Sequence, residues 1–295
     1  MDINYELYKV FYHVATTLSF SEASRQLYIS QSAVSQSVKT LEKKLGTPLF
    51  IRSTKSVQLT PEGETLLRHI EPAIQLIRQG ESNLMEAGSL GGGQLRIGAT
   101  DTICRYLLIP YLNQYHKLYP KVHIRIINQT SLKCVDLLES GQVDLIVTNY
   151  PNSRMGNREQ LQVISEFHDV FTASRSHYPQ LENRRVSLKE IQNYPILMLD
   201  RHSTTNEFLH QMFRKEQLEL IPEIELDSND VLLDLATIGL GLAFVPEYCL
   251  TDHEKLFPIT LAEEMPSRKV VLATAGNASI TQAAREFVQL FEQDE

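Results

Sequence analysis

Apolar residues return at helical spacing through the first part of the chain: Leu7, Val10, Phe11, Val14 and Leu18, then Ala23 and Leu27, then Val34, Val38, Leu41 and Leu45 after a polar break at Ser30. The first set predicts a supporting helix over Tyr5 to Leu18. The other two predict short helices joined by a tight turn, a helix-turn-helix. At about 100° per residue the second of these helices turns Ser32, Gln36, Lys39 and Lys43 away from its apolar stripe, with Ser35 at the flank. After Gly46 and Pro48 the pattern shortens to Leu49-Phe-Ile-Arg52, a polar Ser53-Thr-Lys-Ser56 and Val57-Gln-Leu-Thr60. That pattern reads as a small hairpin and, in this position, as a wing carrying Arg52 and Lys55.

Thr60-Pro61 offers a cap and a proline tolerated at the first helical position. From there Leu66, Ile70, Ala73, Ile77, Gly80 and Leu84 alternate steps of four and three. Such a seam predicts a helix over 61 to 88 that pairs with a second copy of itself or, alternatively, packs onto its own domain. Pro72 should bend it. Gly88-Ser-Leu-Gly-Gly-Gly93 reads as a flexible hinge.

Beyond the hinge, strand and helix patterns alternate. Strands are expected at 94–98, 122–126, 143–147, 170–171, 196–199, 223–226, 239–245 and 269–272, and helices at 102–118, 131–139, 204–217, 229–238 and 279–291. The chain is therefore an α/β multidomain protein whose second part holds mainly parallel sheets covered by helices, enough for two subdomains. Open sheets bind ligands beyond the carboxyl ends of strands and at helix N-termini. Hydroxyls stand at such junctions in Thr100-Asp101-Thr102, Thr130-Ser131, Thr148-Asn149, Ser203-Thr-Thr205 and Asp227-Ser228. Each one alone reads as a helix cap; together they read as the wall of a site for a small polar or anionic ligand.

Charge sharpens this division. Residues 1 to 60 hold seven Lys or Arg against four Asp or Glu, whereas the net charge of the whole is -8. A positive end on an acidic body suits nucleic-acid binding by that end alone. On the predicted second helix, the Gln36 amide matches adenine N6 and N7, serine hydroxyls reach either base edge, and lysines neutralise phosphate. The alternative is an ordinary amphipathic helix whose polar face is only solvated. Arg52 and Lys55 would serve the minor groove or flanking phosphates, or be incidental charge on an exposed hairpin.

Cys104, Cys134 and Cys249 are widely spaced and odd in number, which indicates neither a disulfide framework nor a metal site. The start lacks a basic segment followed by an apolar one, and no run of 18 apolar residues occurs, so a cytoplasmic protein without a membrane span is expected. There is no GxSxG, HExxH or phosphate-binding glycine loop, and the nine histidines form no ligand spacing. No catalytic residue, metal site or cofactor is assigned. An enzyme, or a free solute binder built on 94–295 alone, is the competing class.

Phe20-Ser-Glu-Ala-Ser24, Ser30-Gln-Ser-Ala-Val-Ser-Gln36, Leu41-Glu-Lys-Lys-Leu-Gly46, Leu49-Phe-Ile-Arg52 and Leu59-Thr-Pro-Glu-Gly63 resemble, in order and spacing, the DNA-binding signature of LysR-type transcriptional regulators. Gly141-Gln-Val-Asp-Leu145 and Gly239-Leu-Gly-Leu-Ala-Phe-Val-Pro246 are similar to phrases of that family's effector domain. The resemblance implies a winged helix-turn-helix domain over 1–60, a dimerising linker helix and hinge over 61–93, and an effector-binding domain of periplasmic-binding-protein type over 94–295. Its lobes would be 94–162 with 267–295, and 163–266. Promoter DNA, a small-molecule effector, and homodimers assembling into a tetramer are the implied partners. By position Gln31, Ser32, Ser35 and Gln36 would read bases and Arg52 would serve the wing. Thr100, Thr102, Ser131, Ser203 and Thr205 would line the cleft, joined by Asp101, Thr148 and Ser228 at the neighbouring junctions. The family often has Glu-Gly where Asn128-Gln129 stand, and an arginine where this chain has Asn206, which points away from a large carboxylate. The cysteines do not match the pair of peroxide-sensing members.

Overall fold

The computed structural model describes residues 3–52, 56–86, 93–155, 161–251, 253–274 and 280–292. The chain divides into two compact units, Met1–Met85 and Glu86–Glu295.

The first unit is α1 (Tyr5–Thr17), α2 (Phe20–Leu27), α3 (Gln31–Leu45), β1 (Phe50–Arg52), β2 (Val57–Leu59) and α4 (Pro61–Glu86). Its core joins Phe11, Val14, Ala23, Val34, Val38 and Leu41, all fully buried, so the apolar stripes of the three short helices face one another. Polar residues at the boundaries set the register. Asn4, Ser19 and Ser30 each cap a helix, and Gly46 closes α3 at φ +74°. Glu42 Oε1 accepts the backbone N–H groups of Leu49 and Phe50 at 2.9 and 3.3 Å, tying α3 to the antiparallel β1–β2 hairpin. Thr60 Oγ1 donates to the Pro48 carbonyl at 2.8 Å and accepts the Gly63 N–H at 3.0 Å, which starts α4.

Gly63 is needed for space: a Cβ there would stand 2.2 Å from the Leu49 carbonyl oxygen, a backbone atom. Gly63→Ala should therefore destabilise the first unit by about 1–3 kcal/mol, seen as a lower urea midpoint, while Gly80→Ala, with nothing near its added carbon, should stabilise by a few tenths of that.

α4 runs on through Pro72. Of the expected seam, Leu66 packs on the unit's own core with Leu67, Ile70 is half-buried, and Ala73, Ile77 and Gly80 are exposed. Leu84 has no described side chain. The first turns of the seam thus pack inward on their own unit, and its later turns leave Leu76 and Ile77 exposed. Lys55 and the hinge glycines before Gly93 lie outside the described residues.

In the second unit, β3 (Gly93–Ala99) leads into α5 (Asp101–Ile103), which continues through a π-helical turn at Cys104–Leu108 into α6 (Ile109–Leu118). Then come β4 (Val122–Asn128), α7 (Ser131–Glu139), β5 (Leu145–Tyr150) and β6 (Leu161–Phe167). The middle of the chain supplies β7 (Asp169–Ser174), β8 (Arg185–Val186), α8 (Leu188–Ile191), β9 (Ile196–Leu199), α9 (Thr204–Lys215), β10 (Ile224–Leu226), α10 (Asn229–Thr237), β11 (Leu242–Pro246), β12 (Leu256–Pro258) and β13 (Thr260–Leu261). β14 (Arg268–Thr274) and α11 (Gln282–Glu292) close it.

Two five-stranded sheets result, ordered β4-β3-β5-β14-β6 and β10-β9-β11-β7-β12. Both are mixed, which corrects the expectation of mainly parallel sheets. β3 runs parallel to β4 and β5, but β14 is antiparallel to β5 and β6, and β7 is antiparallel to β11 and β12. The antiparallel strands are those at the two crossings between lobes, where no helix intervenes to reverse the chain. The first crossing also falls later than the expected 162/163 boundary. β6 pairs with β14 through Phe167, so only His168 separates the two sheets.

Each sheet is covered on both faces. In the first lobe Leu145 and Val147 pack with Phe287 of α11, while Ile146 between them packs with Val135 and Leu138 of α7. The phrases read from the sequence do specific work here. Asp144 accepts from the Arg96 backbone N–H at 2.7 Å and pairs with its guanidinium at 2.6 Å, locking the turn after Gly141 (φ +70°) to β3. Gly239, at φ +87°, lies where a Cβ would collide with the His177 ring.

Candidate functional site

Two places carry chemistry, one in each unit. In the first, α3 buries Val34, Val38 and Leu41 at 0% exposure and presents Gln31, Ser32, Gln36 and Lys39 to solvent. Ser35 is half-buried at the edge of this face. The Ser30 hydroxyl accepts the Ala33 N–H at 3.2 Å and pairs with the Ser32 hydroxyl at 2.9 Å, so the helix start is fixed before any ligand arrives. The face carries short hydroxyls and amides at its N-terminal end and Lys39 and Lys43 beyond. Arg52 lies in β1, the first strand of the wing.

In the second unit a cavity of about 350 Å³ opens where four helix starts converge. The N-caps are Thr100 for α5, Thr130 for α7, Ser203 for α9 and Ser228 for α10, each accepting a backbone N–H of its own first turn. Two starts belong to each lobe, so the cavity is a cleft between lobes with the positive ends of four helices turned toward it. Thr100, Asp101, Thr102, Ser131, Ser203, Thr205 and Ser228 all line it. Thr148 does not. It is fully buried behind the wall, where its hydroxyl donates to the Ser131 carbonyl at 3.4 Å, and its neighbour Asn149 takes the lining position.

The lining also includes Asn128, Gln129, Lys133, Asp200, His202 and Asn229, which the hydroxyl pattern did not single out, and Thr204 from within the Ser203-Thr-Thr205 stretch. Its hydroxyls are not equivalent. Ser203 is fully engaged, accepting from Asn206 N–H and donating to the Asp200 carbonyl at 3.0 Å. Thr102 accepts from the Asn229 amide at 2.9 Å, a bond between lobes. Ser131, Thr204 and Thr205 are 3%, 3% and 2% exposed, and among the described residues their protons have no acceptor.

Beside the cleft, Arg105 pairs with Asp230 at 2.5 Å and the Tyr106 hydroxyl donates to the same carboxylate at 3.1 Å. Burial, with Asp230 adding to it, pushes the Tyr106 phenol up to about 12, so it stays a donor across the physiological range. Ser153 donates to Glu207 at 2.9 Å, a further link between lobes. The thiols offer no reactive sulfur. Burial raises Cys104 to about 11 and Cys134 to about 12, and pushes Cys249 up as well. Among the described residues no cluster of His, Cys, Asp and Glu is arranged to hold a metal ion, and no helix is long and apolar enough to cross a membrane.

Residues 5–64 match the model of the bacterial regulatory helix-turn-helix protein, lysR family, and residues 88–294 match the LysR substrate binding domain. Among curated relatives, the HTH-type transcriptional activator CmpR of Synechocystis sp. is 27% identical over 82% of this chain and 79% of its own length. The HTH-type transcriptional regulator TtuA of Agrobacterium vitis is 25% identical over 97% and 95%. Among solved structures, a full-length OxyR variant from Pseudomonas aeruginosa superposes with a TM-score of 0.71 at 21% identity, covering 99% of this chain and 94% of that one. Full-length CbnR complexed with its target DNA gives 0.66 at 16% identity over 99% and 100%. The two structures share the fold.

Proposed function

Because this chain belongs to the LysR-type transcriptional regulators, in which a DNA-binding helix-turn-helix is joined to a substrate-binding domain, we propose that α3 reads promoter sequence under the control of an effector held in the interlobe cavity. Gln31, Ser32, Ser35 and Gln36 are the base readers, and Lys39, Arg52 and Lys55 serve the backbone or the minor groove. The observation that carries this reading is a polar α3 face left exposed while its opposite side is wholly buried. The solved CbnR complex contains target DNA, a precedent for duplex binding on this fold.

The effector is small and polar or anionic, held by Thr100, Asp101, Thr102, Ser131, Ser203, Thr205 and Ser228, with Thr148 supporting the wall from behind. Segments 1–60, 61–93 and 94–295 divide reading, pairing and sensing. The exposed Leu76 and Ile77 of α4 suit burial against a second copy, giving a dimer, with a tetramer as the assembled form. An effector preferring one arrangement of the lobes shifts the population of that arrangement, and with it the spacing of paired α3 helices on DNA.

The test is a thermal-shift screen of metabolites on the full chain, followed by gel shifts on its upstream promoter at several salt concentrations. Ser131→Ala and Thr102→Ala should each weaken the response to a hit about three- to tenfold, the loss of one hydrogen bond. If both variants respond like the unaltered protein, the effector binds elsewhere. If no sequence-selective DNA complex forms at moderate salt, the assignment of α3 fails.

A further inference from the structure

Arg268 is the largest fully buried side chain among the described residues. It opens β14, where the chain returns from the second lobe to the first, and it pairs at 2.6 Å with Asp169, which opens β7 at the outward crossing. Both side chains are 0% exposed. The guanidinium lies between the rings of Phe167 and Phe208, 5.4 and 5.1 Å from their centres. Two further hydrogens go to threonines of the cavity lining: Nη1 donates to Thr205 Oγ1 at 3.1 Å and Nη2 to Thr204 Oγ1 at 2.8 Å, while the Nε–H has no partner among the described residues.

A hydroxyl has one proton. Once Arg268 occupies an acceptor site on Thr204 and on Thr205, each hydroxyl proton must point away from it, and both residues line the cavity. Arginine keeps its charge and has no lone pair, so neither hydroxyl can reverse its role toward it. The wall at the start of α9 is thereby made a wall of donors, in a cavity also lined by Ser131, whose proton is likewise without an acceptor among the described residues. The charged lining groups do not oppose this strongly, since Asp101, Asp227, Lys133 and His202 are exposed and screened by solvent, and Asp200 is half-buried with Oδ1 taken by the His202 N–H.

We propose that Arg268 is a positioning residue for the effector: it fixes Thr204 and Thr205 as hydrogen-bond donors and so selects a ligand that presents an anionic oxygen to the start of α9. This rests on reading the cavity as the effector site. The same contacts join this wall to Asp169 at the crossing between lobes, so a ligand that tightens Thr204 and Thr205 also restrains that crossing.

Inorganic sulfate is the probe, titrated into the full chain at constant ionic strength and followed by thermal shift and calorimetry. Sulfate stabilises folded proteins in general by exclusion from their surface, so the signal is the saturable part, which should be weakened in Thr204→Val/Thr205→Val. Arg268→Lys keeps the charge beside Asp169 but not the fork, and should weaken saturable sulfate binding about tenfold. In the Thr204→Val/Thr205→Val background the same change should cost nothing further, because the hydroxyls through which it acts are gone. Where Arg268→Lys does not fold, Asp169→Asn/Arg268→Gln removes the pair without stranding a charge and should lose the sulfate response equally. The proposal is overturned by sulfate that binds no more tightly to the unaltered protein than to the valine pair, by Arg268→Lys leaving affinity unchanged, or by an equal loss in both backgrounds. A metabolite that binds and responds to Ser131→Ala while sulfate does not would remove the oxyanion selection and leave the cavity assignment standing.

Discussion

Asp169→Ala is expected to destabilise the unit spanning residues 86–295 by about 3–5 kcal/mol, the usual consequence of leaving a buried charge without its partner. The Asp169 and Arg268 side chains have no solvent exposure, so water cannot replace the lost carboxylate. What remains around the guanidinium are two threonine hydroxyls and two aromatic rings, which recover only part of the loss. In a unit of this size the melting temperature should fall by on the order of 10 °C. The pair is costly to break and not in itself a strong source of stability, so Asp169→Asn/Arg268→Gln should recover most of the deficit. Equilibrium unfolding in urea separates the two effects. A loss below about 1 kcal/mol in the alanine variant would mean that solvent reaches the pair.

This pair also marks where local sequence stops being informative. Pro266-Ser-Arg-Lys269 reads as a charged turn, and the partner of Arg268 lies 99 residues earlier. No periodicity links such positions. The crossing at Phe167-His168-Asp169 has no glycine or proline to announce it, so the boundary between lobes falls some residues from where the resemblance placed it. The placement of Thr148 behind the wall has a related cause. β5 is covered on both faces, all of Leu145 to Asn149 is buried, and alternation of polar and apolar residues cannot say which side of the strand faces the cleft.

The helix-turn-helix behaves differently because its determinants are local. Val34, Val38 and Leu41 set the buried side of α3, Ser30 caps its start and Gly46 ends it, all within 17 residues. The helix starts around the cavity were legible for the same reason, as each is announced by a hydroxyl one residue ahead. What the hydroxyls do there was not. Thr100, Ser203 and Ser228 are caps, whereas Thr204, inside the Ser203-Thr-Thr205 stretch but not named among the expected lining residues, carries an unclaimed proton because of a residue far along the chain.

The exposed face of α3 leads to the second large effect. Ser32→Ala/Gln36→Ala should reduce sequence-specific promoter affinity at least about a hundredfold, since each base-edge contact discriminates by about 1–3 kcal/mol and a dimer makes every contact twice. Both side chains are exposed, and truncating them should change folding stability by no more than about 0.5 kcal/mol, so the loss cannot be attributed to unfolding. Affinity for unrelated duplex should change little, because neither residue neutralises a phosphate. Lys39→Ala should behave in the opposite way, weakening binding to all sequences alike and lowering the slope of log affinity against log salt by about one per bound subunit. Fluorescence anisotropy on specific and scrambled duplexes at several salt concentrations distinguishes these outcomes. If the serine–glutamine pair instead weakens both duplexes equally and flattens the salt dependence, α3 lies along the backbone, and sequence must be read by another part of the chain.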